Sequence, residues 1–284
     1  MIPSSVDYTR ASSVGEAIRL LAENPDAKLL AGGHSLIPAM KLRLNSPALL
    51  IDIARIAELR FIEDTGNAIV IGAASTHADI ITNPHLKGLT AMIEAGELIG
   101  DTQVRNMGTL GGSIAHADPS ADWPAVLLAL EAQIKVQGAE GERIIPAAEF
   151  FTGFFSTALD TGEIVTEIHL PKPAAGSASA YRKFMQPASR FAIVGCAASV
   201  SVEGGVISAA NVAFTGVSDA AFLDEGVASA LIGKPATLEN IEAAASAAAE
   251  GDMHINEDHF ASQAYRKHLA KVYAKRALAG ACGL

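Results

Sequence analysis

Cysteine is nearly absent. Cys196 and Cys282 are the only two in 284 residues, too few for a disulfide framework, a zinc knuckle or an iron–sulfur cluster. The eight histidines never fall in an H-E-x-x-H spacing, so no metal site is expected. Basic residues are in deficit: 21 Lys and Arg face 31 Asp and Glu, a formal charge of −10. A nucleic-acid binder needs the opposite balance to neutralise phosphates. No apolar run approaches the ~18 residues of a membrane span. The opening "MIPSSVDYTR" has neither a basic lead nor an apolar segment, so no secretory signal is expected and the cytoplasm is the expected location. What remains is an ordinary globular composition, half apolar and 18% charged, long enough for about two domains.

Turn residues divide the chain into short elements. "SSVGEAIRLLAENP" reads as a helix capped by Ser13, with Glu16 placed as in a capping box and Pro25 as the stop. "AKLLAGG", "ALLIDIARI" and "NAIVIGAAST" read as strands. "HADIITNPHLKGLTAMIEAGELIG" has helical periodicity broken at Asn83-Pro84, and "DWPAVLLALEAQIKVQ" reads as a helix then a strand, with Asp122 as cap and Pro124 in the first turn. "GEIVTEIHLP" alternates as a strand with one buried face. The proline-interrupted "PKPAAGSASA" is the linker candidate. After it come two long strands joined at Glu203-Gly204-Gly205 and two alanine-rich helices. The layout is α+β, with a boundary near residue 176.

Two stretches carry the chemistry. In "LLAGGHSLIPAMKLRL" and "NMGTLGGSIAHADPSADWP" an apolar run meets a diglycine and then a hydroxyl: Gly32-Gly33-His34-Ser35 and Gly111-Gly112-Ser113. Glycine lets another group approach the backbone, and successive free amides form a concavity for anions. Each is equally a plain strand-to-helix turn when taken alone. Neither is a Rossmann fingerprint, because His34 and Leu110 stand where glycine is required, and G-K-[ST] is absent. Asp122 can cap a helix or accept from ligand hydroxyls. Arg105 can anchor a phosphate or pair with an acid. The basic helix "YRKHLAKVYAKR" can face a partner or simply be solvated.

Together, "AGGHSLIPAMKLRL" and "QVRNMGTLGGSIAHADPSADWPAVLLALEA" resemble the FAD-binding (medium) subunits of molybdenum hydroxylases, the group that includes aerobic carbon monoxide dehydrogenase. The FAD domain of xanthine dehydrogenase is homologous. The resemblance covers essentially the whole chain. It implies a vanillyl-alcohol-oxidase (PCMH) type FAD-binding fold over residues 1–176, in two α/β subdomains of about 1–55 and 56–176, and a C-terminal α+β domain over 177–284. It implies FAD as cofactor, its pyrophosphate held by Ala31, Gly32, Gly33, His34, Ser35 and Leu36 and by Thr109, Leu110, Gly111, Gly112, Ser113 and Ile114. Thr76 would approach the flavin and Asp122 its sugar-alcohol chain. Val165 would lie by the ring, which Lys183 and Phe191 would cover. Lys183 as a solvated side chain and Phe191 as a core aromatic are the plain alternatives. Arg190 stands where family members often carry an acid. No residue is assigned as a general base. The implied role is electron transfer from 2Fe–2S clusters of a small subunit, fed by a large molybdopterin subunit, to an external acceptor, in aerobic oxidation of CO to CO2 by a dimer of heterotrimers. The alternatives are another substrate (xanthine, an N-heterocycle or an aldehyde) or a self-sufficient flavin oxidoreductase.

Overall fold

The computed structural model describes residues 1–284. Strand β1 (Asp7–Arg10), helix α1 (Val14–Glu23), β2 (Ala27–Leu30), α2 (Leu36–Lys41) and β3 (Leu49–Asp52) come first. Their strands form a parallel sheet in the order β1-β3-β2. The Ser13 hydroxyl accepts from the Glu16 amide at 3.1 Å. The Glu16 carboxylate turns instead to the Ser12 amide and hydroxyl, so only half of the expected capping box forms.

The second unit runs through β4 (Ile62–Asp64), β5 (Ala68–Gly72), α3 (His77–Thr82), α4 (Thr90–Leu98), α5 (Thr102–Met107), α6 (Leu110–His116) and α7 (Asp122–Ala129). It continues through β6 (Gln133–Gly138), β7 (Gly141–Pro146), α8 (Ala147–Phe150), β8 (Phe151–Gly153), β9 (Ser156–Thr157) and β10 (Ile164–Pro171). Five of its strands pair antiparallel in the order β4-β5-β10-β6-β7. β10 is central: Ile164, Val165 and Thr166 are all buried, and the alternation of its sequence survives as alternating burial from Thr166 onward. Every residue of α7 is buried, which is why its sequence is apolar all round rather than amphipathic.

The chain leaves this sheet at Pro171 and enters another at Ser177, where β11 (Ser177–Met185), β12 (Ala192–Glu203), β13 (Val206–Thr215) and β14 (Phe222–Leu223) form an antiparallel meander. Glu203 pairs with Val206 across Gly204 and Gly205, whose φ angles of 57° and 83° are what a two-residue hairpin turn demands. Helices α9 (Glu225–Leu231), α10 (Leu238–Ala245) and α11 (Gln263–Ala281) complete the domain. One face of the meander packs on α11, while α4 and α7 of the second unit lie against β11, β12 and β13. The first two units share one core, and Tyr181, Ala197 and Ala213 of the meander belong to it.

That packing depends on Gly195, opposite Lys183 and Thr215 in β12. A Cβ there would strike the Tyr181 hydroxyl and come within 2.7 Å of Thr215 Cγ2. Gly195→Ala is expected to lower unfolding stability by about 1–3 kcal/mol, as overpacking does. Urea denaturation reads this; a change below 0.5 kcal/mol (roughly the scatter of neutral surface substitutions) would mean Tyr181 is not held there.

Candidate functional site

The first diglycine lies backbone to backbone on Met107 and Gly108, just ahead of the second. A Cβ on Gly32 would fall 2.1 Å from the Met107 carbonyl oxygen and 2.8 Å from Gly108 Cα, so residue 32 has no room for a side chain. Gly33 adopts φ 70°, a conformation that β-carbons resist. Between them the chain reverses from β2 into α2. Across this reversal the amides of Ala31, Gly32, Gly33, His34, Ser35 and Leu36 donate to no group of the protein. His34 Nδ1 donates to the Gly32 carbonyl at 2.8 Å, and the Ser35 hydroxyl does not cap α2. The result is a partly exposed ring of uncommitted donors, the arrangement that binds anions.

The second diglycine is built differently. It is not a loop but the first turn of α6. Thr109 caps that helix by accepting from the Gly112 amide at 3.1 Å, and the Leu110 and Gly111 amides donate to Ser75 and Ala73 carbonyls. A Cβ on Gly111 would meet Ala73 Cβ at 2.5 Å. Gly111 is therefore a packing glycine, wedged against the turn between β5 and α3. Its amides are committed and offer no second clasp like the first. Thr76, which caps α3 through a capping box with Asp79, bridges Thr109. The structure thus brings Ala31–Leu36, Thr76 and Thr109–Ile114 to one place. Val165 is buried opposite Val136 in β10, and the adjoining Thr166 carbonyl accepts from the Ala73 amide at 2.9 Å, so its strand underlies the same turn.

Asp122 and Lys183 meet each other in a buried junction. Asp122 is not a cap: Ala121 holds the cap position of α7. Its carboxylate is buried, accepting from the Tyr181 hydroxyl at 2.5 Å and from Lys183 Nζ at 3.0 Å. Lys183 is not solvated, since its ammonium also donates to the Leu98 and Arg190 carbonyls at 2.9 and 2.8 Å. Burial raises the Asp122 carboxyl, with the ammonium and the phenol opposing, and burial beside Asp122 holds the Tyr181 hydroxyl protonated as a donor. This polar junction pins the C-terminal domain onto α7. Phe191 is exposed rather than a core aromatic. Arg105 pairs with no acid: its guanidinium donates to the Ile99 carbonyl at 2.9 Å and closes the end of α4. Two of the cations on α11 pair with acids of their own domain, Lys271 with Glu250 and Lys275 with Glu242.

Sequence reasoning gave no role to Tyr181, which appears in the sequence as one more strand aromatic. It also missed the pairing of Trp123 with His77. Trp123 Nε1 donates to His77 Nδ1 at 3.1 Å, which places the proton of the neutral ring on Nε2. Burial, then the neighbouring charges of His34 and Arg105, lower the His77 pKa from 6.5 to about 4. A buried neutral ring of this kind holds position; it does not shuttle protons near neutrality.

Two outcomes follow for stability. The unfolded chain protonates His77 below pH 6.5 while the folded chain resists until about 4, so stability falls as pH drops through that window. The loss attributable to His77 is about 3 kcal/mol. In His77→Gln, thermal melts between pH 7 and 4 should show a correspondingly shallower slope, and an unchanged slope would refute the assignment. Lys183→Met leaves the Asp122 carboxylate buried without its cation and should cost about 3–5 kcal/mol. The double variant Asp122→Asn/Lys183→Met should recover much of that in urea titrations, whereas equal losses in both would deny the pairing.

Comparison with known proteins agrees with this geometry. Residues 4–173 match the FAD binding domain in molybdopterin dehydrogenase, and residues 179–281 match the CO dehydrogenase flavoprotein C-terminal domain. The carbon monoxide dehydrogenase medium chain of Hydrogenophaga pseudoflava is 45% identical over 250 residues, covering 87% of each chain. The glyceraldehyde dehydrogenase medium chain of Sulfolobus acidocaldarius is 37% identical over 98% of each. Among solved structures, carbon monoxide dehydrogenase from Hydrogenophaga pseudoflava superposes with a TM-score of 0.95 at 43% identity, covering 100% of this chain and 99% of that one. Quinoline 2-oxidoreductase from Pseudomonas putida superposes at 0.94 with 31% identity over the same shares. With both halves of the chain matched, the protein belongs to the FAD-binding medium-chain family of molybdopterin dehydrogenases, flavoprotein subunits of oxidoreductase complexes of the carbon monoxide dehydrogenase type.

Proposed function

We propose that this chain relays electrons through its FAD from the 2Fe–2S clusters of a small partner subunit to an external acceptor. A large molybdopterin subunit oxidises the substrate, and the three chains associate as a dimer of heterotrimers. The observation that carries the reading is the run of six uncommitted amides from Ala31 to Leu36, which fits a diphosphate bridge. FAD, when bound, accepts electrons singly and releases two at once, and the protein's part is binding, orientation and access.

Each residue's part follows from its geometry. The Ala31–Leu36 amides neutralise the diphosphate, and Gly32 allows that turn to lie directly on Met107 and Gly108. Thr109 and Thr76 fix the second face, with Gly111 packed beneath it. His34 spends its Nδ1 proton on the Gly32 carbonyl, so it stiffens the turn. No side chain at this place is needed as an acid or base for electron relay. With only two cysteines in the sequence, the chain cannot ligate an iron–sulfur cluster of its own, so reducing equivalents must arrive from a partner.

Carbon monoxide is the favoured substrate, on the 45% identity to a carbon monoxide dehydrogenase medium chain. Relatives named for glyceraldehyde and caffeine are 37% and 29% identical, which fits a substrate chosen on another subunit. Gly33→Val, which places a branched side chain at φ 70°, should weaken FAD retention at least tenfold, measured as flavin absorbance per chain after dialysis. Full retention would reject the amide ring as the FAD site. Mixing wild-type holoprotein with carbon monoxide should leave the flavin oxidised until both partner subunits are added. Reduction without them would favour the self-sufficient oxidoreductase instead.

A further inference from the structure

The helix that begins in the amide ring ends in an apolar promontory. Lys41, Leu42, Arg43 and Leu44, which follow one another at the end of α2, are all exposed and alternate cation with leucine. Leu42 is 51% and Leu44 79% exposed. Single exposed leucines are ordinary on soluble proteins; this pair is held out by the backbone.

α2 closes by a Schellman motif. The Leu44 amide donates to the Ala39 carbonyl at 3.0 Å and the Arg43 amide to the Met40 carbonyl at 3.1 Å, the two bonds that define this cap. Its left-handed position usually belongs to glycine, because a β-carbon resists positive φ. Here Arg43 holds it at φ 62°. The last residue of the motif commonly folds back onto the helix as an apolar contact, but Leu44 stays in solvent. Arg43 is tied down at the same time. Its Nε donates to the Ile2 carbonyl at 3.1 Å and its Nη1 to the Ser4 hydroxyl at 3.3 Å. What the arginine adds over glycine is this bracket, which brings Ile2, itself 81% exposed, to the residue between Leu42 and Leu44.

The segment that carries the promontory bears charge of one sign. From Ala27 to Ile51 the chain has Lys28, Lys41 and Arg43 and no Asp or Glu, in a protein of net charge −10. An apolar centre with a cationic rim fits a partner face with an apolar centre and an acidic rim. α2 is six residues long, roughly 9 Å, so a partner seated here lies one short helix from the amide ring.

We propose that Ile2, Leu42 and Leu44, rimmed by Lys41 and Arg43, form the docking surface for the small 2Fe–2S subunit, an assignment that rests on the FAD-relay reading above. Two considerations choose that occupant over the large subunit. The relay requires the donor chain itself to sit next to the cofactor. The thiolates and sulfides of a 2Fe–2S centre also outweigh the charge of its ferric ions, so the cluster lends its own face the negative potential that a cationic rim attracts.

The test titrates the full chain with the small subunit and, separately, with the large subunit, reading dissociation constants by interferometry. Leu42→Asp/Leu44→Asp should weaken the small subunit by roughly a hundredfold, the scale of losing central interface anchors, and leave the affinity for the large subunit unchanged. Arg43→Gly, which suits φ 62° better, should keep the fold, weaken the small subunit and flatten the salt dependence of its binding. Ile232→Asp, at an apolar site of the C-terminal domain that is 50% exposed, should change neither affinity. Undiminished binding of the small subunit by the double variant, a loss confined to the large subunit, or an equal loss in Ile232→Asp each overturns the assignment. A wild-type chain that binds no small subunit at all strikes the relay reading and the docking surface together. A double variant that binds as wild type does strikes the docking surface alone.

Discussion

Where residue 32 would carry a side chain, the Met107 carbonyl oxygen stands instead. This contact joins the turn that carries the amide ring, after the small parallel sheet, to the helical layer of the second unit. A methyl group at that position would push the turn after β2 away from Met107 and Gly108. The displacement would reach Thr109 and its cap, then the Ala73–Thr76 turn on which α6 rests. The uncommitted amides would survive as chemistry but lose the surface opposite them. The site is thus one constraint shared by two glycines of different purpose: Gly32 yields space to protein backbone, and Gly33 yields the φ angle that turns its neighbours' amides to one side.

The Asp122 junction works at a different scale. Its carboxylate meets Tyr181 and Lys183 across the boundary between α7 and β11, so the C-terminal domain is fixed by directional bonds and not by apolar packing alone. Buried ion pairs add little net stability but penalise misalignment heavily. Lys183 also draws the ends of α4 and of the Gln186–Arg190 turn to one ammonium. The junction thereby sets the registry between the two domains.

How much of this was legible in the sequence differs by element. The capped helix after Ser13, the central strand "GEIVTEIHLP" and the Gly204-Gly205 hairpin follow from local rules that tertiary contacts did not override. The resemblance of the paired motifs carried the family and the cofactor, both of which the comparisons support. Motif likeness could not tell that the second diglycine is the start of a helix with committed amides, because Gly111 answers to Ala73, a residue 38 positions away. Asp122 misled for the same reason. An acid before Trp-Pro is a good cap by local rules, but Lys183, at a separation of 61 residues, claims it. Tyr181 gave no signal at all, since a tyrosine in an alternating strand is ordinary and its partner is a distant carboxylate.

The same reasoning explains why the cavity at the domain seam is invisible in the sequence and why it lies where it does. Phe154 and Phe155 belong to a short hairpin of the second unit, and Arg266 to the last helix, over a hundred positions later. Only the docking of the two domains sets them face to face, and that docking is fixed at Asp122, two residues beyond Ser120 at the cavity's base. A guanidinium that spends three of its five N–H groups on Ile193, Gly216 and Asp258 closes the end of the meander. One side chain therefore clamps the C-terminal sheet by directional bonds, in the way the Asp122 junction clamps the two domains.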